Sequence, residues 1–167
     1  MNDLQILNHY KTLLECDQFV LTGSAALKHL GLIETCSDLD VILVNPTNAT
    51  LAMLQRLQEA NPAKTAPKPS QITPCEAKAA NGALGFIFMH EAVKIDIFIS
   101  SKTIVSEVFV SGILLNPISQ IIAAKKKFNR LKDLVQLRYL SRLFFCEDDL
   151  RKKLDYPAYP VFSGTEY

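Results

Sequence analysis

At 167 residues and 49% hydrophobic content, the chain has enough material for one domain with its own core. No uninterrupted apolar run is long enough to span a bilayer, and the polar, amphipathic start MNDLQILNHYK does not read as a secretory signal. A membrane protein is therefore excluded and a cytoplasmic one expected. The net charge is only +1, yet residues 125–153 carry ten Lys and Arg against four acids. A basic segment opposite an otherwise acidic chain suits a triphosphate or a nucleic-acid acceptor, although a solvated helix face accounts for most of these residues.

Taken in chain order, the residues alternate helix and strand signals. An amphipathic helix is predicted over about Asp3 to Glu15, with Leu4, Leu7, Tyr10, Leu13 and Leu14 along one side. A short apolar strand, Phe19 to Leu21, then runs into Gly23-Ser24 and a second helix. Gly23 permits a tight turn and close approach of backbone to a ligand. Ser24 is placed to cap the helix, whose free N–H groups suit a phosphate. The stretch SDLDVILV is a strand with Asp38 and Asp40 at its start, and Ala49 to Ala60 reads as helix, with Leu51, Leu54 and Leu57 at three-residue steps.

Pro62, Pro67, Pro69 and Pro74 then rule out a continuous helix. A long loop is expected over 61–83, carrying Lys64, Lys68 and Lys78 within reach of phosphate, and a surface excursion is its ordinary reading. GFIFMHEAVKIDIFIS reads as a β-hairpin turning near Glu91-Ala92, with Asp96 on the returning strand. Asn116-Pro117 opens a helix in which Ile118, Ile121 and Ile122 face inward and which reaches Lys125 or beyond. Another helix is predicted from about Arg130 to Phe145, and an aromatic, proline-rich tail occupies 156–167. The expected architecture is α/β (α+β): one domain with a short mixed sheet flanked by helices, C-terminal helices, and a core over about 18–145.

Three acids carry the chemistry. Side chains at i and i+2 of a strand share a face, so Asp38 and Asp40 project together. Like charges held that close repel and push one pKa upward; a Mg²⁺ ion, which prefers carboxylate oxygens, removes the conflict. Asp96 stands between Ile95 and Ile97, where an unpaired carboxylate would be costly to bury. If its strand lies beside that of Asp38 and Asp40, a third carboxylate completes a metal site. Taken alone, Asp-x-Asp at a strand start is more often a turn followed by a strand.

The order Gly23-Ser24, Asp38-Leu39-Asp40, Asp96 resembles the pattern of the DNA polymerase β-like nucleotidyltransferases, over roughly residues 18–140. Within that superfamily the chain looks most like small bacterial proteins related to the AbiEii toxin and to antibiotic nucleotidyltransferases. AAKKKFNRLKDLVQL matches the family's helix with a Lys, at Lys125, and its Arg-x-Lys-Asp stretch, at Arg130 to Asp133. The chain departs from the pattern in having no basic residue shortly before Asp38, and in Gln136 where a further acid is common.

The resemblance implies transfer of a nucleoside monophosphate from a nucleoside triphosphate, such as ATP, to an acceptor hydroxyl, with pyrophosphate released. Asp38, Asp40 and Asp96 would ligate two Mg²⁺ ions and serve catalysis, Asp96 also as base. Gly23, Ser24 and Lys125 would bind the nucleotide. The acceptor stays open between RNA, protein and a small hydroxyl compound. A non-catalytic nucleotide-binding module, or a toxin–antitoxin component with an antitoxin-type protein partner, is the alternative on the same fold; a plain α/β domain with structural acids is a third.

The remaining polar and aromatic residues add little. His9, His29 and His90 have no ligand spacing. Tyr10, Tyr139 and Phe144 fall at core-like helical positions. Cys16, Cys36, Cys75 and Cys146, with no Cys-x-x-Cys pair, read as reduced thiols.

Overall fold

The structure, a computed structural model, describes residues 2–63 and 85–146. Most of the expected 61–83 loop, with Lys64, Lys68 and Lys78, lies outside the described residues, as does the 156–167 tail. The chain divides into two compact units, residues 1–117 and 118–167.

The first unit opens with α1 (Asp3–Leu13), capped by a reciprocal Asn2–Gln5 capping box. Its buried residues are Ile6, Leu7 and Tyr10, with Leu14 following as the C-cap. Leu13, expected inward, is exposed, so the apolar stripe runs through Ile6 instead. Next come β1 (Gln18–Thr22), α2 (Gly23–His29) and β2 (Asp38–Val44). Thr47 caps α3 (Asn48–Ala60), in which Leu54 alone of the three predicted leucines is fully buried. The hairpin β3 (Gly85–His90) and β4 (Val93–Ser100) turns at Glu91-Ala92 as expected, and Glu91 takes a φ of 54° there.

A second hairpin was not visible in the sequence. It joins β5 (Phe109–Val110) to β6 (Ile113–Leu115) across Ser111 and Gly112, both at positive φ. Positive φ at both central residues is the condition for the tightest hairpin turns, and Ser-Gly meets it.

The strands form one mixed sheet in the order β3-β4-β2-β1-β6-β5. β2 lies parallel to β4 and antiparallel to β1; β1 is parallel to β6. Leu39, Val41 and Leu43 of β2 and Ile95 and Ile97 of β4 are buried on one face. Strict alternation sends the residues between them, Asp38, Asp40, Lys94 and Asp96, to the other face. α2 packs against β1 and β2, and α3 against β3, where Gln58 Oε1 accepts from the Ile87 amide at 2.7 Å. Tyr10, expected in the core, is buried, and its hydroxyl lies 2.9 Å from His90 Nδ1.

The second unit contains α4 (Ile118–Phe128) and α5 (Leu131–Cys146), packed on each other. Ile118, Ile121 and Ile122 are buried, as the spacing predicted. Tyr139 is 49% exposed and is not a core residue. The side chain of Phe144 lies outside the described residues. With five helices and a six-stranded mixed sheet among the described residues, the fold is the expected α+β arrangement, helices flanking the sheet and two more following it. No helix among the described residues is long and apolar enough to cross a membrane.

Candidate metal centre

The site is built by strand register. In the parallel β2–β4 pair, Asp40 stands opposite Asp96 and Asp38 opposite Lys94. The antiparallel β1–β2 pair sets Thr22 beside Asp40, so Gly23 begins α2 at the same edge of the cluster. One carboxylate oxygen from each of Asp38, Asp40 and Asp96 can be chosen so that all lie within 4.8 Å of one another. The structure therefore brings together the three acids that the sequence singled out. Ser37 Oγ donates to Asp38 Oδ1 at 3.0 Å and helps fix the first of them. Asp38 is buried, whereas Asp40 and Asp96 are partly accessible.

Lys94 is the residue that sequence reasoning missed. Its Nζ lies 3.0 Å from Asp38 Oδ2 and 2.9 Å from Asp96 Oδ2. The charge conflict expected between the acids is thus answered in the protein itself. Partial burial pulls the Lys94 pKa down, but hydrogen bonds and charge attraction from Asp96 and Asp38 outweigh it and leave the pKa raised. The ammonium stays protonated at neutral pH. Its signal was present in the sequence, since Lys94 is two residues before Asp96 on a strand and must share its face.

Gly23 explains itself through Asp40. It adopts φ +61°, and a Cβ added there would stand 2.8 Å from Asp40 Cγ and closer still to Asp40 Oδ2. The glycine is needed both for its conformation and because the Asp40 carboxylate fills the space beside it. Ser24 is buried at the second position of α2. It is not the N-cap: Thr22 holds that place and makes no side-chain cap bond. The Thr22 hydroxyl instead accepts from Asn116 Nδ2 at 2.9 Å. Asn116 likewise does not act as the expected cap, because its Oδ1 accepts no hydrogen bond among the described residues.

Lys125 belongs to the second unit and is buried there. Its Nζ donates to Gln136 Oε1 at 2.5 Å and to Asp133 Oδ1 at 3.3 Å, tying α4 to α5. Arg130 Nε donates to Asp133 Oδ2 at 2.6 Å. Burial pushes the Asp133 pKa up, but Arg130 and Lys125 more than reverse this and hold it below the ordinary carboxylate value. Gln136, which departs from the family pattern, thus has a task as the acceptor for Lys125. Cys16 and Cys36 are free thiols.

The donor set fits a hard divalent cation: three carboxylates from two adjacent strands, with no sulfur or imidazole among them. No family model matches the chain, and neither does any curated protein or solved structure.

Proposed function

We propose that the chain is a Mg²⁺-dependent nucleotidyltransferase, moving a nucleoside monophosphate from a nucleoside triphosphate to an acceptor hydroxyl and releasing pyrophosphate. The observation that supports this is the parallel register that sets Asp40 opposite Asp96 with Asp38 on the same face. Asp38, Asp40 and Asp96 would hold Mg²⁺, as two ions in the full complex. Bound Mg²⁺ supplies charge neutralisation of the triphosphate and polarises its α-phosphorus.

The protein's own residues do the rest. Asp96 accepts the proton of the acceptor hydroxyl, since it is partly accessible and on the strand opposite the Asp-x-Asp pair. The turn at Gly23 and the hydroxyl of Ser24 receive the β- and γ-phosphates beside Asp40. Lys125, the expected nucleotide-binding lysine, also ties the two C-terminal helices together through Gln136 and Asp133. Positioning and charge stabilisation carry the rate. RNA, a protein or a small hydroxyl compound is the acceptor class.

Transfer of label from α-labelled triphosphates to these acceptor classes tests the reading, with pyrophosphate release measured alongside. A second reading is favoured by the Lys94 ion pairs, which satisfy two of the acids without metal. On that reading the chain is a non-catalytic nucleotide-binding module or a toxin–antitoxin component with an antitoxin-type partner. Nucleotide binding with no pyrophosphate released from the triphosphate, whatever the acceptor, would favour it.

A further inference from the structure

Lys94 puts a cation inside a site built for cations. Its ammonium touches Asp38 on one side and Asp96 on the other, two of the three carboxylates that would hold the metal. With the ammonium in place, two of the three carboxylates already have a positive partner. The lysine is also well placed to move. Its side chain is 29% exposed, against 7% for Asp38 and 14% for Asp96, and is the most accessible of the three.

We infer that Lys94 is a tethered cation that excludes bare divalent metal and admits it only as the metal–triphosphate complex. The inference rests on the metal-centre reading proposed above. A hydrated ion arriving alone competes with the ammonium for both carboxylates and offers it only water in exchange. Each of those bonds is charge-assisted and therefore among the stronger kind. A triphosphate arriving with the ion brings oxygens that accept from the displaced Nζ. The cost of displacement is then recovered within the site, and metal and nucleotide bind cooperatively. Lys94 would thus make the site respond to nucleotide and not to free metal concentration.

The test is isothermal titration of wild type, Lys94→Gln, Lys94→Met and Lys94→Arg with Mn²⁺ alone, and with Mn²⁺ complexed to the α,β-methylene analogues of ATP and GTP. Removing the charge should tighten bare Mn²⁺ binding at least about tenfold, the equivalent of one charge-assisted hydrogen bond. Binding of the metal–triphosphate complex should be unchanged or weaker. Lys94→Arg, which keeps the charge, should resemble wild type for bare Mn²⁺. Equal bare Mn²⁺ affinity in wild type and the neutral variants would overturn the inference and leave the metal centre standing. No binding of Mn²⁺ in any form, by any of these proteins, would overturn the metal centre and the inference with it.

A measurement on unmutated sequence covers the case in which the neutral variants do not fold. After reductive ¹³C-methylation of lysines, the Lys94 methyl resonance should move with the Mg²⁺–triphosphate analogue and stay in place with Mg²⁺ alone at equal concentration. A resonance that ignores both, or that moves equally with both, overturns the inference.

Discussion

Replacing Gly23 by Ala separates the two demands made on that position, because a second glycine supplies the control. Gly23 and Gly31 both sit in the left-handed region, at φ +61° and +71°. An added Cβ at Gly31 meets nothing within 4 Å, whereas at Gly23 it runs into Asp40. Gly31→Ala should therefore cost the backbone strain alone, roughly 1–2 kcal/mol. Gly23→Ala carries the same strain plus overpacking against Asp40, roughly 1–3 kcal/mol more.

The clash runs from Asp40 Oδ2 through Cγ to Cβ, and rotation of Asp40 relieves the part at its carboxylate. Stability is then partly recovered and the metal site loses one of its three carboxylates. Thermal melts should show Gly31→Ala a few degrees below wild type and Gly23→Ala on the order of 10 °C below it, at roughly 2–4 °C per kcal/mol for a chain of this size. Affinity for the metal–triphosphate complex should fall about ten- to a hundredfold in Gly23→Ala, the value of one charge-assisted contact, and stay unchanged in Gly31→Ala. Equal melting points and equal affinities for the two variants would refute the claim that Gly23 is held open by Asp40.

The remaining predictions concern the carboxylates and the helical unit. Asp96→Asn should keep the fold and most nucleotide affinity but lose nucleotidyl transfer by at least ~10²-fold in the α-label assay, the usual scale for positioned proton transfer; undiminished transfer would remove Asp96 from the role of base. Mg²⁺ with the preferred triphosphate, at about a hundredfold above its dissociation constant, should stabilise the fold by roughly 2.7 kcal/mol, read as a rise in melting temperature that Asp40→Asn lacks. Asp133→Asn should destabilise the chain by about 3–5 kcal/mol in urea titration, because it removes the carboxylate paired with the buried Lys125 ammonium. The Asp133 pKa is lower folded than unfolded, so its contribution is complete above the unfolded value of about 3.9 and is lost as pH falls through the lower folded value. Acid unfolding of the Asp133→Asn variant should accordingly show a shallower slope below about pH 4 than the wild type.

Local pattern carried most of the elements. Alternation in SDLDVILV and VKIDIFIS was enough to place Asp38, Asp40 and Asp96 on the strand face opposite Leu39, Val41, Ile95 and Ile97, because side-chain direction in a strand depends only on parity. The Glu91-Ala92 turn and the apolar spacing of Ile118, Ile121 and Ile122 were legible for the same reason: each is decided within a few residues. The acids and the order of their motifs were therefore determined before any fold was known.

What the sequence could not decide was which strand lies beside which, and in what register. The chain from Val44 to Val93 separates two strands that are nearest neighbours in the sheet. Their pairing is a non-local choice, settled by burial of Leu39, Val41, Ile95 and Ile97 on one common face. A one-residue slip would have turned Asp96 into the core and left Asp38 and Asp40 alone. The same non-local choice drew Lys94 in between Asp38 and Asp96, and the pairing of β1 with β2 pressed Asp40 against Gly23. Sequence determines which charges a strand presents. Only tertiary pairing decides which of them meet, because the energy of a charge depends on neighbours that the chain brings from far away.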